Sequence, residues 1–177
     1  MKLVAVLFGL IVGLVGAKGP AHAAMVLTSP DVKNGRAIAL TYVHAQCGGQ
    51  NISPEVSWSG APAGAKSFAL TVIDLDVKPD QFSHWIVVDL PPATTSVPRG
   101  AAGLPLPGKV VANNFGEAAY SGPCPPKGSG AHHYQFTIWA LPNATTAVAP
   151  DEKARAVREA LGKIAIDKAS FTPTYGR

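Results

Sequence analysis

Two aspartates and three histidines fall where predicted strands begin or end. Asp74 and Asp76 close one apolar run, His84 opens the next, and His132 and His133 stand before another. A carboxylate hydrogen-bonded to one imidazole nitrogen fixes the tautomer of the ring and favours its charged form, leaving the second nitrogen to donate to an anion such as phosphate. Tyr120 and Tyr134 offer hydroxyls and flat apolar walls. Backbone N–H groups in the run Gly122 to Gly128, which holds Pro125 and Pro126, could add donors as anion-binding nests do. On spacing alone, ordinary half-buried histidines with satisfied hydrogen bonds fit as well. Aspartate and histidine are also common metal ligands. The chain, however, has no His-x-x-x-His spacing and no Gly-x-Ser-x-Gly, and Gly122–Gly128 lacks the Gly-Lys-Ser/Thr ending of a phosphate loop. Catalysis, a metal and a cofactor are therefore not expected, and these residues leave a small-anion pocket and ordinary half-buried histidines both open.

The elements that must position these residues are mainly strands. Short apolar segments predict strands over 36–42, 67–74, 84–90, 134–141 and 166–171. The segment 68–73 is apolar on both parities, as suits a strand covered on both faces. His84 shares its parity with Ile86, Val88 and Leu90, and His132 shares its parity with Tyr134 and Phe136. If these strands are neighbours, both histidines lie at the mouth of the core. Short strands separated by turn residues point to a sandwich or an irregular antiparallel sheet. One helix is predicted over 151–164, from the apolar stripe Ala154, Val157, Leu161 and Ile164. Pro150 marks its entry, Asp151 and Glu152 suit the positive end of its dipole, and Glu159 with Lys163 forms an i,i+4 pair. Residues 93–131 form a long proline- and glycine-rich stretch. A proline-stiffened loop costs less entropy to order, which favours a functional role for it.

The N-terminus reads as an export signal: Lys2, an apolar or glycine run from Leu3 to Ala17, then small residues at 21 and 23, with cleavage after Ala23. The run is too short for a comfortable membrane span, so no transmembrane anchor is expected after cleavage. Of the 177 residues, 24–177 then form one domain of ordinary size. The formal net charge is +4, and Lys2 and Lys18 carry two of those charges away with the signal, leaving +2. No lysine or arginine cluster marks a nucleic-acid surface. The product would be periplasmic or secreted. In such a compartment the two cysteines, Cys47 and Cys124, read first as a disulfide. The rival reading is a nucleophilic Cys124 with a histidine partner.

Several runs, in order, resemble the phosphatidylethanolamine-binding proteins, in their bacterial, Raf-kinase-inhibitor-like branch. The first block comprises Asn51-Ile-Ser-Pro-Glu-Val-Ser-Trp-Ser-Gly60, Lys66-Ser-Phe-Ala-Leu-Thr-Val-Ile-Asp-Leu-Asp76 and Ser83-His-Trp-Ile-Val-Val-Asp-Leu-Pro91. The second comprises Tyr120-Ser-Gly-Pro-Cys-Pro-Pro-Lys-Gly128 and His132-His-Tyr-Gln-Phe-Thr-Ile-Trp-Ala-Leu141. The resemblance implies a mainly β fold of two antiparallel sheets with a C-terminal helix and a ligand cavity at one end. It also implies a pocket for a small anionic or phosphorylated headgroup, built from Asp74, Asp76, His84, Pro125, Pro126, His132 and Tyr134, with Tyr120 at the rim. A protein partner, inhibited outside the cytoplasm, is the second role it implies. Two departures stand out. The usual Asp-Pro-Asp-Ala-Pro is here Asp74-Leu-Asp76-Val-Lys-Pro79, and the usual His-Arg-Tyr is His132-His133-Tyr134.

Overall fold

The computed structural model describes residues 23–101, 105–147 and 153–177. The predicted signal segment therefore lies outside the described residues up to position 22. Two antiparallel sheets face each other. The small one runs β1 (Val26–Thr28), β2 (Val56–Ser59) and β5 (Ser96–Val97), in that order across the sheet. The large one takes the order β6 (Lys109–Val111), β4 (Phe82–Leu90), β3 (Ser67–Asp74), β7 (His132–Leu141) and β8 (Asp167–Phe171), with β9 (Thr174–Tyr175) pairing the start of β7. Among the described residues one α-helix, α1 (Ala154–Ile164), covers the outer face of the large sheet.

The apolar pattern of β3 explains this layering. All eight of its residues are buried. Phe68, Leu70 and Val72 point into the core between the sheets, where they meet Leu27, Val56, Trp58 and Val97. Ala69 points the other way, into a second cluster with Trp139, Val157 and Leu161 under the helix. A strand buried on both faces needs a cover on both faces, and the small sheet and α1 supply one each.

Three sequence expectations are corrected. Residues 36–42 are not a strand. Ala37 makes one isolated bridge to Thr174, and Leu40–Tyr42 is a 3-10 turn whose carbonyl groups at Leu40 and Thr41 are taken by Gln50 and Ile52. The backbone bonds therefore close a compact loop instead of a ladder. The described helix starts at Ala154, and Pro150, Asp151 and Glu152 lie outside the described residues. Glu159 pairs backwards with Arg155 at 2.9 Å instead of forward with Lys163, and Ile164 is exposed at the end of the stripe. The long stretch 93–131 carries two short strands, β5 and β6, which the turn residues around them conceal.

The loop that follows Leu40 is strapped to residues 120–124. Tyr120 Oη donates to Tyr42 O at 2.7 Å, Gly122 N to Asn51 Oδ1 at 2.7 Å, and His44 N to Pro123 O at 3.2 Å. A Cys47–Cys124 disulfide joins the same two segments across 77 residues of chain. The crossing is so close that a Cβ on Gly122 would lie 2.2 Å from Tyr42 O and 2.6 Å from His44 N. Backbone atoms cannot yield as a side chain can. Gly122→Ala should therefore destabilise the fold by roughly 2–4 kcal/mol, measured as a lower urea midpoint at unchanged m. The Cys47→Ala/Cys124→Ala double variant should lose about 2–4 kcal/mol, since cross-linking a loop of this length chiefly restricts the unfolded chain. A midpoint equal to wild type in either protein would contradict the strap.

Candidate functional site

At one end of the sandwich the last residue of β3 meets the first residues of β4 and β7. Asp74 pairs with Phe82 on one side and Tyr134 on the other. The side chains from this row, with the loops beyond it, line a cavity of about 310 Å³ formed by Asp74, Val77, Phe82, His84, Phe115, Cys124, Pro125, Pro126, His132 and Tyr134.

Asp74 is 2% exposed, so its carboxylate must find partners inside the protein. Oδ1 accepts from Asp76 N at 2.9 Å, and Oδ2 faces His132 Nδ1 at 2.6 Å. The other ring nitrogen of His132, Nε2, lies 3.1 Å from Ser129 Oγ. Ser129 gives its one hydroxyl proton to Pro126 O at 2.8 Å, so Oγ is left to accept. Both nitrogens of His132 are therefore engaged, one beside a carboxylate and the other beside a hydroxyl. The nitrogen that the sequence reading left open for an anion is thus already held by Ser129.

His84 behaves differently. Its Nδ1 lies 2.7 Å from the Ser121 carbonyl, and a carbonyl only accepts, so Nδ1 carries the proton. Burial pushes the ring's pKa down to about 4, against the opposing pull of the Ser121 carbonyl and the Asp74 charge. Its direction also differs from the parity expectation. Val72 pairs with Trp85 but Ile73 pairs with Ser83, so His84 is the extra residue of a β-bulge. The bulge detaches His84 from Ile86 and Val88, which face the helix. Its ring instead meets Tyr134 at 5.1 Å between centroids and Phe115 at 5.7 Å. A second register shift before Leu90, at Asp89 with φ 59°, likewise returns Leu90 to the face of Val87.

Tyr134 is buried, and its hydroxyl makes no hydrogen bond of ordinary geometry, although it lies close enough to Asp74 to feel the carboxylate. Burial first, then the Asp74 charge, raise the phenol well above its ordinary range. Pro125 and Pro126 line the cavity as the resemblance implies. Two expected residues do not. Tyr120 is 2% exposed, spends its hydroxyl on Tyr42 O and packs edge-on against Trp85. Asp76 turns outward, where its Oδ2 accepts from His133 N at 2.7 Å and meets His133 Nδ1 at 3.0 Å. Partial burial alone would raise the Asp76 carboxyl, but the His133 backbone, ring and charge outweigh it and hold it below the ordinary range. The two departures from the family pattern, around Asp76 and at His133, therefore face each other. The nest expected over Gly122–Gly128 is also committed elsewhere at both ends, Gly122 N to Asn51 and Gly128 N to Arg177 O.

The apolar half of the site escaped sequence reasoning. Phe115 stacks on His44 at 5.0 Å and meets Phe82 edge-on at 4.9 Å. It is held there by Asn113, whose Oδ1 accepts from Phe115 N at 2.8 Å and from Glu117 N at 3.2 Å. A lone aromatic in the polar turn Asn113-Asn-Phe-Gly116 was the available signal. Val77 sits in the insertion-like stretch, and Cys124 puts the disulfide into the wall.

The family model for phosphatidylethanolamine-binding proteins matches residues 28–176. The chain belongs to the phosphatidylethanolamine-binding protein family. Over 161 residues it is 39% identical to UPF0098 protein YbcL of Escherichia coli K12, covering 86% of this chain and 88% of that protein. The crystal structure of E. coli YbcL, described as a member of the mammalian PEBP family, superposes with a TM-score of 0.80 at 36% identity, over 88% of this chain and 99% of that one. A candidate lipoprotein of Mycobacterium tuberculosis H37Rv, LppC, is 42% identical over 132 residues, which are 73% of this chain and 63% of LppC.

The depressed value of His84 has a consequence for stability. As pH falls below about 6.5 the unfolded chain takes up a proton that the folded protein refuses until about 4. The associated stabilisation is complete above the unfolded value and lost across that window, on the order of 3 kcal/mol. Relative to His84→Gln, wild type should lose about that much between pH 7.5 and pH 4 in urea unfolding. A stability difference that does not change with pH would show that His84 is not held neutral.

Proposed function

We infer that this chain is an exported binding protein whose cavity takes the phosphorylated headgroup of a small ligand. The observation that carries this reading is the buried Asp74–His132 pair beside His84 at the end of the sandwich. Buried charge is costly unless it is used or fully paired, and here it lines an opening to solvent. In a ligand such as phosphoethanolamine, the phosphate would lie by His84 and the Tyr134 hydroxyl, while the ammonium would face the side of the Asp74 carboxylate. A cavity of about 310 Å³ is at the small end of ligand sites, so it suits a headgroup and leaves acyl chains outside. Export is supported by the Cys47–Cys124 disulfide, which persists in oxidising compartments, and by the similarity to a candidate lipoprotein. The walls offer no nucleophile activated by a base, and we propose binding without catalysis.

Asp74→Ala and His132→Ala should each weaken phosphoethanolamine binding at least tenfold, about 1.4 kcal/mol, with the circular dichroism spectrum retained. Titration calorimetry checks this. Unchanged affinity in both variants would remove the pocket as the ligand site and turn attention to an extracytoplasmic protein partner.

A further inference from the structure

We propose that a cleft on the outer face of the large sheet, separate from the end cavity, binds a small phosphate monoester as its dianion, with Arg158 as the anchoring cation. The two sites share no lining residue, so this inference stands apart from the headgroup reading.

The cleft has a volume of about 320 Å³, and its walls are Arg155, Arg158 and Gly162 of α1, Trp139 of β7, Lys168 of β8 and Gln81 just before β4. Trp139 and Lys168 are opposite each other in the β7–β8 ladder, and the Lys168 ammonium lies 5.0 Å from the centre of the indole ring. Arg155 and Arg158, three residues apart, share one side of the helix. The cations come from two separate elements, so no run of basic residues announces them in the sequence.

Their charge is not balanced within the chain. Glu159 is the one carboxylate in the lining, and Arg155 takes it at 2.9 Å. Among the described residues, neither Arg158 nor Lys168 has a carboxylate within ion-pair reach. Arg158 is half-buried. Its Nη1 donates to the neutral side-chain oxygen of Gln81, and its Nε is covered with no hydrogen-bond partner among the described residues. Burial pushes this guanidinium down from its ordinary value, against the pull of the Glu159 charge. A half-buried cation held by an amide alone is costly unless an anion completes it. The residue that holds it is itself strained, since Gln81 has a φ of 60°.

Gly162 points to an occupant as well. It stands inside α1, where glycine is the least favourable residue after proline. Packing does not require it: a Cβ there would meet only Trp139 Cζ3, at 3.8 Å, an ordinary contact. A longer side chain would lie over the edge of Trp139 and fill the cleft. The glycine therefore keeps the cleft open at the expense of the helix.

The ligand class follows from the charges. With Arg155 and Glu159 paired, Arg158 and Lys168 leave two positive charges lining one small space. A phosphate monoester brings up to two negative charges and three acceptor oxygens on a single group, and its second ionisation lies at about pH 6. A guanidinium fork matches such oxygens two at a time. A carboxylate offers one charge, and a dicarboxylate separates its two along a chain. The charged groups around the cleft are Arg155, Arg158, Glu159 and Lys163 from α1 and Lys168 from β8, with the Asp80–Lys153 pair at the helix start. Arg155 holds the Glu159 carboxyl below its ordinary range, and no histidine is among them.

The test follows the assigned nitrogen-15 resonance of the Trp139 indole N–H, which donates to Thr71 Oγ1 at 3.1 Å beneath the cleft, while the oxidised protein is titrated at constant ionic strength. The probes are glycerol 3-phosphate, inorganic sulfate and succinate. Glycerol 3-phosphate should shift this resonance saturably, and about fourfold more tightly at pH 7.5 than at pH 5.5 as it becomes the dianion. Sulfate, doubly charged throughout, should bind with no such change. Succinate should bind at least tenfold more weakly than glycerol 3-phosphate at pH 7.5. Arg158→Gln should weaken glycerol 3-phosphate at least tenfold. Gly162→Leu should keep or raise the thermal midpoint, because leucine favours the helix, and should abolish the shift by filling the cleft. The response should persist in Asp74→Ala, which separates it from binding at the end cavity. Wild-type affinity in either cleft variant, or loss of the response in folded Asp74→Ala, would overturn the assignment. A pH trend shared by sulfate and glycerol 3-phosphate, or equal affinity for succinate, would overturn the choice of a phosphate dianion. No saturable shift with any probe would overturn the site itself and leave the headgroup reading standing.

Discussion

The end of the sandwich is organised by a carboxylate that has nowhere to go. Asp74 terminates the most buried strand of the protein, with a strand on either side, and is itself almost wholly covered. An ionised carboxylate in that position is tolerated only if donors converge on it. The turn after β3 supplies the N–H of Asp76, and the start of β7 supplies the ring of His132. The placement of Ser129 and the Pro125–Pro126 wall follows, because Ser129 holds the far nitrogen of His132 and bonds back to Pro126.

The loops over this end have little regular structure of their own, and the chain secures them by cross-connection. Residues 40–51 and 120–124 come from distant parts of the sequence and meet through a disulfide, four hydrogen bonds and a glycine that lets the backbones touch. The segment that carries Cys124 into the cavity wall is therefore fixed from behind. The Arg177 side chain adds a tie from the other side, donating to Pro125 O at 2.7 Å. A preorganised wall lowers the ordering cost of binding.

Within the cavity the two histidines have opposite characters. His132 has both nitrogens engaged, one of them by a carboxylate. His84 is kept neutral by burial among aromatic neighbours, and the Ser121 carbonyl fixes its proton on Nδ1. The same residue type thus supports a buried carboxylate at one wall and lies neutral among aromatic rings at the other, and what separates them is the partner each ring meets.

The alternation and length of the apolar runs determined β3 to its ends, most of β4, β7 and β8, and the helix that covers them, since burial on one or two faces imposes a period on the sequence. The ordered motifs also identified Asp74, His84, Pro125, His132 and Tyr134 as residues that come together. Other features were decided only by the tertiary structure. The bulge at His84 changes the face of one residue without changing composition, so parity counted through it points the wrong way. Tyr120 was drawn into the core by a carbonyl 78 residues away, Asp76 was turned outward by His133, and Phe115 was brought in by a polar turn. Local periodicity records which residues must be buried. Which donor meets which acceptor depends on segments that only the folded chain brings together.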